Sequence, residues 1–202
     1  MTLGSSLSAF LQSCYISKEK IVTSFHYVDH YYYTRSRQLE INNSGRLNVL
    51  VVGSLQRNFY LLESVVSKLE NIKFTIIAGN NNLSFLAKYK NIELKGYISE
   101  KDLKDEMENA DISLNILEDT VGSNVITTSL SMGLAIIVSD VGSIRDYCDE
   151  SSAIFCRKEN QYIEAIELLN NNRELLYFLR LAAIEKSKRL RIDNFYSFIN
   201  TI

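Results

Sequence analysis

A recurrence constrains this chain most: residues 47–52 (LNVLVV), 74–78 (FTIIA), 112–116 (ISLNI) and 134–138 (LAIIV) are short, nearly uninterrupted apolar runs rich in Val, Ile and Leu. Runs without alternating polar positions suit strands buried on both faces. Between them the period changes. Residues 59–69 put Leu62, Val65, Val66 and Leu69 on one helical face, and residues 100–110 carry Leu103 and Met107 at i and i+4. Alternating strand and helix predicts an α/β fold, a Rossmann-like parallel sheet with helices on both faces, since right-handed crossovers join parallel strands. A fifth strand is expected at 91–95. Beyond Phe155, residues 161–169 and 173–190 are amphipathic and FYSFINTI closes the chain, which predicts a helical C-terminal tail.

Ahead of this core, KIVTSFHYVDHYYY (20–33) reads as one strand with a turn at Val28 and Asp29, followed by a polar linker, TRSRQLEINNSGR. The expected organisation is an incomplete N-terminal piece over 1–46 and a main domain over 47–202. The sequence has no proline, so turns must be found from Gly, Asn, Asp and Ser; INNSG, GNNN and NNNRE read as surface loops.

A length of 202 residues, 46% of them hydrophobic, supports a sizeable core, and a net charge of -2 gives no global electrostatic case for nucleic acid. Cys14, Cys148 and Cys156 form no CxxC pair, and no His cluster has metal spacing, so neither zinc nor a disulfide framework is indicated. A reduced, cytoplasmic setting is expected, with the inner face of a membrane as an alternative location. Nowhere do about 18 apolar residues run together, as a spanning helix requires.

Ligands of such sheets sit beyond the carboxyl ends of the strands. After the first of the long strands comes VGSLQRN. Its Gly53 and Ser54 can present backbone N–H groups to an anion, and Arg57 can add a charge-assisted bond to phosphate; the same residues also suit a plain turn. In GSNVITTSLSMG, four β-branched residues argue for a strand while Gly-Ser-Asn and Gly133 look like a helix's start and stop. Asn124, Thr127, Thr128 and Ser131 fall at i, i+3, i+4 and i+7 as one polar stripe, and Ile126 with Leu130 makes an apolar one, so spacing predicts a helix capped by Ser123 or Asn124. Its free amides favour an anion, although a capped core helix with an exposed hydroxyl face has the same pattern.

Three other features read as structural. SDVGSIRDY predicts a strand, a turn at Asp140 and a short helix, with Arg145 and Asp146 as surface ion-pair partners. His26 and His30 lie four apart among tyrosines, a poor metal pair. EKSKRLR suits a solvated helix face or a phosphate or lipid footprint.

Taken in order, strand-GS, helix, AGN, KGYIS, NADISLNIL and MGLAIIVSDVGSIRDY resemble the C-terminal half of GT-B glycosyltransferases of the large retaining, family 4-like group. CYISKEKIVTSFHYVDHYYY is similar to the end of that family's N-terminal domain, where the chain enters the interdomain linker. The resemblance covers about residue 47 to the end, and its most specific part is the helix ending in Met-Gly followed by LAIIVSDVGSIRDY. It implies a nucleoside diphosphate sugar as donor substrate, with no cofactor or metal required, and a glycan or lipid-linked acceptor. A separate N-terminal acceptor domain would complete the cleft, and the chain alone would bind rather than transfer.

By the same resemblance, backbone near Gly96, Tyr97 and Ile98 would contact the base. Gly122, Ser123, Asn124 and Val125 would meet the diphosphate, which Gly53, Ser54 and Arg57 would also approach. Two glutamates usual in the family fall on Thr120 and Thr128. Glu118 or Asp119 would supply the first carboxylate near the sugar; the second, which holds the ribose, has no substitute beyond the Thr128 hydroxyl. Loss of that carboxylate favours an alternative, a non-catalytic Rossmann-like interaction module in a polysaccharide synthesis complex. A nicotinamide enzyme is disfavoured because no Gly-rich fingerprint follows the first long strand.

Overall fold

Period two along each strand divides the core between two helical layers. The computed structural model describes residues 1–41 and 45–201. Its elements are β1 (Thr2–Leu3), α1 (Ser5–Ser13), β2 (Thr23–Ser24), β3 (Asn48–Val52), α2 (Phe59–Val66), β4 (Lys73–Ile77), β5 (Ile92–Lys95), α3 (Glu100–Asn109), β6 (Ile112–Asn115), α4 (Asn124–Ser131), β7 (Ala135–Ser139), β8 (Ala153–Cys156), α5 (Glu159–Asn171), α6 (Arg173–Ser187) and α7 (Ile192–Ile199). Val49 and Val51 of β3 pack into one apolar layer with Leu62, Val65 and Val66 of α2 and Ile166 and Leu169 of α5. Leu50 and Val52 face the other layer, with Met107 of α3 and Ile126 and Leu130 of α4. Each such fully buried aliphatic side chain contributes roughly 1.5–3 kcal/mol over leaving it exposed. Strands buried on both sides account for the unbroken apolar runs.

The six-stranded sheet is parallel throughout, in the order β5-β4-β3-β6-β7-β8. From β3 the chain moves outward through β4 to β5, then returns to place β6 on the other side of β3. That reversal makes a switch point between β3 and β6, and the loops leaving the two strands diverge there. A crevice beyond their carboxyl ends is where open α/β sheets hold ligands.

The Rossmann-like sheet, the helices on both faces and the helical tail follow the sequence pattern. Other readings are corrected. KIVTSFHYVDHYYY is not one strand: β2 pairs only with β1, and Val28 makes an isolated bridge with Arg191. Asp29 stops the extension, its carboxylate accepting from the Tyr31 and Tyr32 amides at 3.1 and 3.2 Å and its carbonyl from Tyr33 at 2.8 Å. The edge strand β8 and helix α1 carry too little periodic signal in so few residues to be read in advance. The short helix after Asp140 is a single 3-10 turn, Ile144–Asp146. The INNSG loop expectation falls partly on residues 42–44, outside the described residues.

Two surface readings change as well. Arg145 pairs with Asp140 and Glu150, but the Asp146 carboxylate forms no ion pair among the described residues. It accepts from the Ser5 amide and hydroxyl at 2.5 and 2.8 Å, capping α1 from outside that helix. The basic cluster of EKSKRLR is largely engaged: Lys186 with Asp149, Lys188 with Glu185 at 2.5 Å, and Arg189 with the Asp146 carbonyl at 2.5 Å. No described helix is long and apolar enough to cross a membrane.

Candidate functional site

The switch point carries a cleft of about 460 Å³ whose walls come from the loops after β3 and β6 and the start of α4. The loop after β3 turns through Gly53 at φ 103° and Gln56 at φ 53°. It is then tied to the loop after β6: Arg57 bridges Leu117, and the Glu118 amide donates to the Gln56 carbonyl at 2.9 Å. Asn58 ends the turn by capping α2, accepting from the Leu61 amide at 2.8 Å. Gly53 is needed here because a Cβ would stand 3.2 Å from the Arg57 guanidinium in a left-handed backbone.

Arg57 is the charged centre of the cleft. One of its guanidinium nitrogens donates to Asn115 Oδ1 at 2.9 Å; among the described residues its buried Nε has no hydrogen-bond partner and the side chain forms no ion pair with a carboxylate. Burial lowers its pKa to about 10, which leaves it protonated at neutral pH. Asn115 in turn donates to the Ser113 hydroxyl at 3.0 Å, and Ser129 of α4 donates to the same hydroxyl at 2.9 Å. A buried polar chain therefore connects the cation to the helix opposite, through neutral groups that hold it without neutralising it. Asn115 and Ser113 could have been noticed as polar positions inside an apolar strand run, ISLN.

Facing Arg57 is the first turn of α4. Ser123 caps it, accepting from the Ile126 amide at 3.4 Å, while the amides of Asn124 and Val125 have no protein acceptor among the described residues. Such orphan amides and the helix dipole favour an anion. The polar stripe expected along α4 is only partly exposed. Thr127 is fully buried and donates back to the Asn124 carbonyl at 3.1 Å, and Ser131 donates to the Tyr33 carbonyl at 2.6 Å. Both hydroxyls find partners inside the fold, so the sequence spacing overstated the face offered to solvent.

Gly53, Ser54, Arg57, Asp119, Thr120, Gly122, Ser123, Asn124 and Val125 all line this first cleft. Asp119 accepts from the Thr120 amide at 2.7 Å, and Thr120 donates to the Gly122 carbonyl at 3.2 Å. Thr128 lies on a second cleft of about 530 Å³, beside His26, Asp29, Tyr33, Glu100 and Asn124. Its hydroxyl donates to the helix carbonyls of Asn124 at 2.7 Å and Val125 at 3.2 Å. Glu118 faces a third cleft with Asp140, Arg157 and Tyr162. Gly96, Tyr97 and Ile98 line none of these: a Cβ built on Gly96 would stand 3.8 Å from the Gly79 carbonyl, Tyr97 is 87% exposed and Ile98 packs on the core. No group of His, Cys, Asp and Glu among the described residues could hold a metal ion.

The model of the family described as glycosyl transferases group 1 matches residues 46–172. The chain belongs to that family. No curated protein matches this sequence. Among solved structures, the group 1 chain superposes on a glycosyltransferase from Rickettsia africae with a TM-score of 0.81 at 13% identity, covering 95% of this chain and 59% of that one. Anabaena HepE, solved with UDP and glucose, gives 0.82 at 9% identity, covering 100% and 62%. The C-terminal domain of a Francisella tularensis group 1 family protein, LpcC, gives 0.67 at 13% identity, covering 82% and 99%. The chain thus spans about three fifths of the first two structures and nearly the whole of an isolated C-terminal domain. These likenesses establish the fold as that of the C-terminal half of GT-B glycosyltransferases.

Proposed function

We propose that this chain is the nucleotide-sugar donor-binding half of a retaining, family 4-like glycosyltransferase that moves a hexose to a glycan or lipid-linked acceptor. The observation that carries it is a cation with no carboxylate partner, Arg57, facing the uncapped amides of α4 across one cleft at the sheet's switch point. A diphosphate fits both demands. The uridine nucleotide in the HepE structure, at the same fold, supports the same donor class.

In this reading the diphosphate lies between Arg57 and Asn124, with Gly53 and Gly122 admitting close backbone approach. As the sugar leaves, charge growing on the diphosphate is stabilised by the guanidinium, the helix dipole and the two amides, without need of a metal. Residues 1–46 belong to an N-terminal acceptor domain or its linker, the rest of which completes the catalytic cleft from a longer chain or a separate subunit. The soluble donor half works on the cytoplasmic side, where lipid-linked acceptors at the inner face of a membrane are within reach.

One observation favours a second reading. The Thr128 hydroxyl donates into its own helix and offers no carboxylate for a ribose, which suits a non-catalytic interaction module in a polysaccharide synthesis complex. Calorimetry with UDP-glucose, GDP-mannose, UDP and GDP separates the two. Binding of any one of them below millimolar concentration is expected for the donor half; saturation by none of them at millimolar concentration would overturn it.

A further inference from the structure

The two larger clefts meet at a shared wall formed by His26 and Asn124. His26 is the one titratable side chain common to both among the described residues. Its backbone is pinned to the main sheet domain, the His26 amide donating to the hydroxyl of buried Tyr147 at 3.2 Å. The ring lies over the loop leading into α4. A Cβ built on Gly122 would overlap the imidazole Cδ2 and stand 3.1 Å from Nε2, so glycine at 122 is what lets the ring sit there. Asn124, the first residue of α4, stands beside the imidazole in the shared wall, and its side chain favours the protonated ring.

We propose that His26 contacts the diphosphate of the bound nucleotide-sugar and does so as an imidazolium, so that donor binding takes up a proton. The proposal rests on the donor-site reading above. An anion seated against the α4 amides and Arg57 occupies the cleft whose wall the His26 ring forms. The charged and titratable groups that share its clefts are Arg57 and Asp119 in the first and Tyr27, Asp29, Tyr33 and Glu100 in the second, with Tyr147 at its backbone. None of them forms an ion pair with it. Burial holds the imidazole pKa below its usual 6.5, which leaves the ring neutral at pH 7. A neutral ring avoids a second uncompensated cation in the cleft that Arg57 lines. A diphosphate changes the balance, because its negative charge favours the protonated ring.

The sign follows from linkage. If the ligand raises the imidazole pKa, the extra affinity is complete below the free-state pKa and disappears as pH rises through the bound-state value. Each unit of pKa rise corresponds to about tenfold in affinity. UDP-glucose and GDP-mannose are the probes, because their diphosphate carries no proton that titrates near neutrality.

Calorimetry of each probe from pH 5.5 to 8, in buffers of different ionisation heat, is expected to show proton uptake and tighter binding at low pH. His26→Gln should bind with little pH dependence, while His30→Gln should behave as the parent chain. The sequence holds two histidines, so their imidazole carbon-bound proton signals can be followed in the unmutated protein. There the His26 titration should move to higher pH on saturation and the His30 titration should not, a readout independent of whether either variant folds. Binding with an unmoved His26 titration and equal pH dependence in His26→Gln would overturn the proposal while sparing the donor site. If neither probe binds the parent chain at millimolar concentration, the donor-site reading fails and this proposal with it.

Discussion

The two clefts on either side of His26 and Asn124 share one helix but differ in what their walls leave unsatisfied. On the Arg57 side, among the described residues, a cation has no carboxylate partner and the amides of Asn124 and Val125 have no acceptor. On the Thr128 side stand the carboxylates of Asp29 and Glu100, and two of the hydroxyls are already donating, Tyr33 to Glu100 at 3.0 Å and Thr128 to its own helix. The first set of features belongs mostly to backbone: every helix start leaves orphan amides, whatever its side chains. The second depends on side-chain identity at one position. A site can therefore keep its affinity for phosphate through sequence change that removes a contact to the rest of the ligand.

Removing the cation is the most forceful way to break that contrast. Arg57→Ala should weaken UDP-glucose binding by roughly 10–100-fold, the loss expected for a charge-assisted hydrogen bond of about 1.5–3 kcal/mol. It also leaves Asn115 Oδ1 without its donor, so a lower melting temperature is expected. Arg57→Lys separates the effects: it keeps the charge and should recover part of the binding. Calorimetry on both variants that found affinity unchanged would place the anion elsewhere.

A smaller change sharpens the other side. Thr128→Glu puts a carboxylate on the second turn of α4, exchanges a β-branched residue for a better helix former and leaves the first-turn amides untouched. Against the repulsion of Glu100 and Asp29, which line the same cleft, a net gain of about fivefold for UDP-glucose is expected, or ~1 kcal/mol. The gain should vanish for the 2′-deoxyribose analogue if the new carboxylate meets the sugar hydroxyls. Equal gains for both ligands would show that it acts through the helix alone.

These two positions also show what sequence could and could not reveal. Apolar runs such as 47–52 and 134–138 announce strands buried on both faces, because nothing else accommodates so many aliphatic residues in so short a length. The parallel sheet and the position of its loops follow from that. Helix α4 was legible through spacing and its Ser123 cap despite four β-branched residues, tertiary burial of Ile126 and Leu130 outweighing propensity. What stayed hidden depends on contacts distant in sequence. Nothing near Arg57 in the chain says that Asn115 will hold it, or that Thr127 will turn inward. KIVTSFHYVDHYYY was misread because its β propensity is real, whereas its pairing partners, β1 at one end and Arg191 at the other, lie outside any local window.

Asp146 gives the gentlest probe, since it stands beside the first cleft without lining it. Its carboxylate caps α1 from outside that helix, holding the Ser5 amide and hydroxyl, while the Ser143 hydroxyl takes the Ser6 amide at 3.0 Å. Gly4 just before is forced by the same contact, as a Cβ there would meet the Val121 carbonyl at 2.8 Å in a left-handed backbone. Arg145 next to Asp146 keeps its own partners, Asp140 and Glu150, so loss of the Asp146 carboxylate leaves that ion-pair group standing. Asp146→Ala should therefore cost about 0.5–1 kcal/mol, the low end for a cap at an exposed position, and should be felt in α1 alone. Hydrogen exchange of the α1 amides should speed up about two- to fivefold, with UDP-glucose affinity unchanged within twofold. A clear loss of affinity would mean that the seating of α1 helps shape the Gly122 loop, and the first cleft would then have to be counted as a joint product of the N-terminal segment and the sheet.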